Sequence, residues 1–119
     1  MSGGGVNLRE KLGSFSEQWA PKVVANYNDN DVCVVRLEGE FIWHSHPDTD
    51  DFFLVLDGEL DIELRDRTVT LGPGELFVVP RGVEHRPVAR NGEVKLLLIE
   101  PKGTPNTGDE ATATAKVGI

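Results

Sequence analysis

Between Gly39 and Gly58 the chain reads Gly-Glu-Phe-Ile-Trp-His44-Ser-His46-Pro-Asp-Thr-Asp-Asp51-Phe-Phe-Leu-Val-Leu-Asp-Gly58, and no other stretch narrows the possible folds as much. Phe41-Ile-Trp43 leads into two histidines one residue apart, and on an extended strand such residues share a face. Pro47-Asp-Thr-Asp50 is turn chemistry, and residues 52–56 are apolar enough to form the returning strand. Two imidazoles side by side, with carboxylates just past the turn, make a donor set suited to a transition metal. The third histidine, His85, also stands at the start of an apolar run, behind Pro80-Arg-Gly82.

The remaining chain shows many short strands punctuated by turns. Residues 23–27 and 32–37 flank Asn28-Asp-Asn-Asp31, a turn signal between two strands. Leu60, Ile62 and Leu64 alternate with Asp61, Glu63 and Arg65, so residues 59–65 present one apolar and one wet face. Residues 68–71 return after Asp66-Arg67, and Gly72-Pro-Gly74 turns the chain into residues 75–79. Asn91-Gly92 reads as a hairpin turn, and residues 94–99 are nearly continuous apolar, as expected of a strand buried on both faces. Turns spaced about ten residues apart imply an all-β sandwich or barrel. Ahead of it, Asn7 and Glu10 have the spacing of a capping box. Leu8, Leu12, Phe15 and Trp19 fall near helical spacing, and Pro21 ends the run. This segment is expected to lie on the barrel or to exchange between two subunits. The division is an N-terminal arm over 1–21, a barrel over 22–101 and a tail over 102–119 that wraps the surface or frays. Residues 1–6, rich in glycine, are expected to lack order.

Two segments together resemble the cupin family, specifically its small type-2 barrels, whose pattern is G-x5-H-x-H-x(3,4)-E-x6-G followed by G-x5-P-x-G-x2-H-x3-N. Gly74, Pro80, Gly82 and His85 match the second half, with Ala89 at its closing Asn. In the first half Gly39 stands four residues before His44 rather than five, and Asp51 takes the glutamate position, six residues before Gly58. All three histidines of the chain thus fall on motif positions. The resemblance spans about residues 31–100 and implies an antiparallel jelly-roll β-barrel. It also implies one divalent transition ion (Fe, Mn, Ni, Co, Cu or Zn) held by His44, His46, Asp51 and His85. Asp50 sits one residue off in the strand alternation and is expected to face solvent or serve the turn.

Composition removes several function classes. The 119 residues make one domain. A net charge of −8 and pI near 4.8 argue against nucleic acid or anionic membrane as partner. Residues 1–5 lack the charged and apolar regions of a secretory leader. No apolar run approaches the roughly 20 residues of a membrane span. A soluble, cytoplasmic protein is the expectation. Cys33, the only cysteine, forms no internal disulfide and is expected to be a buried core thiol.

With no Ser-His-Asp order, phosphate loop or Cys beside His, any chemistry falls to the metal. The resemblance implies a metal-dependent enzyme, a dioxygenase, isomerase or cyclase, acting on a small organic molecule. A non-catalytic binding module, with the metal as anchor, is the alternative from another class. Glu40, Asp50 and Glu84 are the acid–base candidates, and Arg36 points into the cavity if no bulge intervenes before His44. Phe53 and Val55, in phase with Asp51, face inward, whereas Trp43 faces out. Phe15, Trp19 and Trp43 are large for so small a core, and the barrel has edges to cover, so a homodimer is expected.

Overall fold

In a computed structural model of the chain, which describes residues 4–119, residues His85–Pro101 form a single 17-residue strand on which the others are hung. The elements run α1 (Leu8–Leu12), β1 (Lys22–Tyr27), β2 (Asn30–Glu40), β3 (Asp51–Asp57), β4 (Leu60–Leu64), β5 (Thr68–Leu71), β6 (Leu76–Val79), β7 (His85–Pro101) and β8 (Val117–Gly118). One edge of β7 pairs with β2 from Asn30↔Pro101 to Glu40↔Val88. On its other edge the first residues pair with β4, Leu64↔His85 to Asp61↔Val88, and later ones with β3, Leu54↔Leu97 to Asp57↔Lys95. β4 continues to β5, and β3 to β6. β2 and β7 therefore pass from one leaf of a sandwich to the other, and the architecture is the expected all-β jelly-roll barrel with a short N-terminal helix.

The core follows strand alternation. Leu60 and Ile62 on β4 are wholly buried, as are Val55 on β3, Cys33 on β2 and Val94 on β7. Each such Leu, Ile or Val is worth about 1.5–3 kcal/mol relative to exposure. Burial also pushes the Cys33 thiol up to about 12, so it is inert, as its apolar neighbourhood suggested.

Three expectations need correction. Asn91-Gly92 makes no hairpin: Leu37 pairs with Val94 and Gly39 with Ala89, so Arg90 to Glu93 bulge opposite Glu38 alone. Because β2 offers partners on both sides of the bulge, the chain resumes its direction instead of turning back. Residues 94–99 are not buried on both faces either; Val94, Leu96 and Leu98 are buried while Lys95, Leu97 and Ile99 are only half-buried. The N-terminal apolar spacing does not extend one helix to Trp19. Asn7 Oδ1 accepts the Glu10 N–H at 3.0 Å as expected, but the helix stops at Leu12, where Gly13 and Ser14 follow. Beyond it the arm is extended along β2, with Trp19 N–H donating to Arg36 O at 2.9 Å.

The tail wraps the surface. β8 lies parallel to β1, the one parallel pairing between strands among the described residues. Lys116 just before it reaches Asp31 Oδ2 at 2.7 Å and Glu100 Oε2 at 2.8 Å. Of the glycine-rich opening, residues 1–3 lie outside the described residues.

Candidate metal centre

Main-chain bonds between the two motif segments build the site. His44 and His85 form an isolated antiparallel bridge, His44 N–H to His85 O at 3.0 Å and His85 N–H to His44 O at 2.9 Å. Gly82 N–H donates to His46 O at 2.9 Å, while Val83 N–H closes a turn on Pro80 O at 3.1 Å. Gly82 sits at φ +78°, the left-handed position that this turn demands and that glycine supplies without strain. Asp51 opens β3, paired with Val79. The side chains of His44, His46, Asp51 and His85 converge, each offering a ligand atom within 4.8 Å of the others. Asp51 Oδ2 lies 2.7 Å from His85 Nε2 and 3.3 Å from His46 Nε2.

The chemistry of this donor set fits a metal ion. Nδ1 of His44 lies 2.9 Å from Ile42 O, and Nδ1 of His85 2.9 Å from Val83 O. A carbonyl only accepts, so each Nδ1 carries a proton, which orients the ring and turns Nε2 toward the cluster. The contacts of Asp51 Oδ2 with His85 and His46, at 2.7 and 3.3 Å, keep these donor atoms close enough for one ion to be shared among them.

Electrostatics assigns the imidazoles different parts. Burial, aided by neighbouring His85 and opposed by the Ile42 carbonyl, lowers His44 to about 4, so its ring is neutral. Burial opposes a charge on His46 too, but the hydrogen bond and charge of Asp51 outweigh it and raise its pKa. The same contacts, with those of His85, hold Asp51 well below the usual carboxylate range against a burial effect that would raise it. A metal entering this set would therefore displace a proton from His46, not from His44. Metal affinity is expected to be full above the raised pKa of His46 and to fall as pH drops through it, by about tenfold per unit. The decline begins above the ordinary imidazole value of about 6.5. A zinc titration against a competing chelator checks this; affinity flat from about pH 8 to about pH 6 contradicts it.

Around the cluster is a cavity of about 50 Å³ lined by Trp19, Val35, Leu37, Phe41, Phe53 and Leu96, among other mainly apolar groups. Trp19 stacks on Phe41 with ring centroids 4.8 Å apart, and Phe41 meets His44 edge-on at 5.2 Å. Trp19 thus has a place within its own barrel. Trp43 faces outward as expected, with the Arg65 guanidinium 3.8 Å above its ring. Phe53 lines the cavity, whereas Val55 belongs to the deeper core.

Arg36 does not enter the cavity. It forks onto Glu93 at 2.8 and 2.9 Å and donates to the carbonyls of Leu12 and Phe15. The bulge at Gly39, where φ is +79°, shifts the strand phase between Arg36 and His44. The three acid–base candidates stand at the surface, none of them lining the cavity: Glu40 with Arg86, Glu84 with Arg65, and Asp50 accepting the Arg81 N–H at 2.9 Å.

Sequence reasoning missed Glu100. It is buried at the end of β7 and lines the cavity with His46 and Asp51. Burial raises its pKa against the pull of Lys116. An acidic residue in an apolar strand, at the inward phase set by Leu96 and Leu98, was the available signal.

Comparison with known proteins agrees with this geometry. The family model for the cupin domain matches residues 32–100. The uncharacterized protein YdbB of Bacillus subtilis (strain 168) is 36% identical over 80 residues, which cover 66% of this chain and 65% of that protein. A crystal structure of a cupin-2 domain-containing protein from Shewanella frigidimarina superposes with a TM-score of 0.79 at 45% identity, covering 82% of this chain and 94% of that one. The fold alone is shared, at 16% identity and a TM-score of 0.72, with a hydroquinone 1,2-dioxygenase from Sphingomonas sp. TTNP3; 95% of this chain and 77% of that one align. With both motif segments on adjoining strands of a jelly roll and their histidines turned into it, the chain belongs to the cupin domain family.

Proposed function

We propose that the protein is a metal-dependent enzyme of the dioxygenase, isomerase or cyclase type, acting on a small, largely apolar molecule. His44, His46, Asp51 and His85 are its metal ligands, and the ion is one of Fe, Mn, Ni, Co, Cu or Zn. The observation that carries the reading is a buried donor set with correctly turned imidazoles opening onto an apolar cavity. A bound ion supplies Lewis acidity or a site for dioxygen. The residues of the chain do the rest: Val35, Leu37, Phe53 and Leu96 exclude water, and Phe41 and Trp19 close one wall. No Lys or Arg lines the cavity, so an anionic group on the substrate has no cationic partner there other than the ion.

Size limits the substrate further. A cavity of about 50 Å³ admits a compact molecule or the reactive end of a larger one. His46 also borders a wider polar depression of about 570 Å³, lined by Asp48, Thr49 and Lys102, which serves as the approach.

Metal analysis of protein purified without added metal, followed by oxygen-uptake and turnover screens against small phenols and diketones, tests the reading. Stoichiometric metal with turnover is expected. Metal with saturable ligand binding and no turnover identifies the binding module instead. The protein also assembles as a homodimer in this reading, through exposed Leu76 and Val78 on β6, whose outer edge has no partner among the described residues. Sedimentation at the 13.0 kDa monomer mass excludes that assembly.

A further inference from the structure

Trp19 is held in a backbone conformation that its side chain disfavours. Its φ is +58°, in the left-handed region, which only Asn28 shares among the described non-glycine residues. Asparagine visits that region readily, whereas a bulky residue there is an outlier. Such a conformation persists only where its surroundings over-determine it, and it recurs at ligand clamps. Trp19 is fixed from four sides. Its N–H donates to Arg36 O at 2.9 Å, its indole Nε1–H donates to Glu38 O at 3.0 Å, and its ring stacks on Phe41. The fourth hold comes from the C-terminal tail, where Asn106 Nδ2 donates to Trp19 O at 3.1 Å. Thr114 N–H donates to Asn106 Oδ1 at 3.0 Å, so the two ends of this amide are committed and its orientation is fixed by chemistry. Both Trp19 and Asn106 line the cavity beside the metal centre. The strain is therefore borne where the indole closes the cavity wall.

We propose that Trp19 is the specificity-determining residue of the cavity, setting the largest ligand it accepts, and that Asn106 is the positioning residue that keeps the indole in place. This rests on the metal-dependent reading above and narrows its substrate to the compact class. With the indole fixed, the cavity of about 50 Å³ takes a metal-binding group that carries a methyl group and rejects one that carries a phenyl ring. A freely turning aromatic would yield to the larger molecule. One held by its N–H, its carbonyl, its indole N–H and a stacked ring does not. The tail is thereby part of the site, although none of its residues belongs to the donor set.

The test uses the full chain loaded with Co2+, whose visible spectrum reports oxygen donors entering the centre. The probes are acetohydroxamic acid and benzohydroxamic acid, which share the metal-binding group and differ in bulk. The unaltered chain is expected to bind the first about tenfold more tightly or better, the scale on which overpacking is felt. Trp19→Gly removes the indole and takes the left-handed backbone without strain. It should bind benzohydroxamic acid about tenfold more tightly than the unaltered chain does, a gain that partial unfolding cannot produce. Asn106→Asp keeps an acceptor for Thr114 N–H but sets a carboxylate against Trp19 O, and should move the preference in the same direction. In a Trp43→Phe background Trp19 is the sole tryptophan. Its quenching by acrylamide, measured without metal, should rise with Asn106→Asp while thermal melting shows the chain still folded. The proposal is overturned by equal binding of the two probes to the unaltered chain, by a Trp19→Gly chain that still rejects benzohydroxamic acid, by a cobalt spectrum that neither probe perturbs, or by quenching that Asn106→Asp leaves unchanged. Absence of any cobalt spectrum before a probe is added removes the metal-dependent reading, and the quenching arm, which needs no metal, still decides whether Asn106 holds Trp19.

Discussion

A chain carrying His44→Ala and His46→Ala together is expected to bind no transition metal at the centre while keeping its barrel. The two substitutions remove half of a donor set whose atoms lie within 4.8 Å of one another. Loss of even a supporting group costs a metal site about 10–100-fold, so losing two ligands takes affinity below a measurable range. The fold survives because the bridge between His44 and His85 is made by main-chain atoms, which the substitutions leave in place. Stability drops nonetheless. Ile42 O, on an exposed residue, loses its donor and Asp51 keeps only His85 of its two imidazole partners, so the loss stays within the about 1–3 kcal/mol of an orphaned buried polar group. Metal titration with thermal melting separates the effects. Stoichiometric metal in the double variant places the site elsewhere.

Asp51→Ala is expected to weaken metal binding by about tenfold or more, whereas Asp50→Ala leaves it nearly unchanged. Both aspartates follow His46 closely, and neighbours on a strand point oppositely. Asp51 contacts His46 and His85 through Oδ2 from a nearly buried position. Asp50 is exposed and accepts from the Arg81 main chain, so its removal loosens the turn between the motifs without removing a donor. The converse result, a larger loss at Asp50, puts the register of β3 wrong by one residue and turns Phe53 out of the cavity.

The barrel was legible because its information is local. Leu60, Ile62 and Leu64 alternate with charged residues, so a strand with one buried face is written into four or five positions. The turns at Asn28 and Gly82 carry backbone preferences of their own, with φ of 48° and 78°. His44 and His46 share a face by strand geometry, and the match of both motif segments brought His85 and Asp51 into the same set.

The misreadings came where pairing partners decide the outcome. Asn91-Gly92 carries a hairpin signal, yet β2 runs past both its sides and keeps the strand straight. Arg36 has the separation from His44 that an unbroken strand would aim inward, but a bulge at Gly39 reverses its face and frees it to clamp the N-terminal arm. Trp19 has helical spacing from Leu12 and Phe15, but stacking on Phe41 holds it in an extended arm.

Sequence by itself determined an all-β sandwich or barrel and the shared face of His44 and His46, because period-two alternation and turn preferences act within a few residues; the jelly-roll form followed from the motif resemblance. Only the tertiary structure decided that Glu100 joins that face, that Arg36 leaves it, and that the tail reaches back through Lys116 to brace it. Those placements depend on contacts between residues far apart in the chain, Lys116 with Asp31 and Arg36 with Glu93, and no local pattern encodes them.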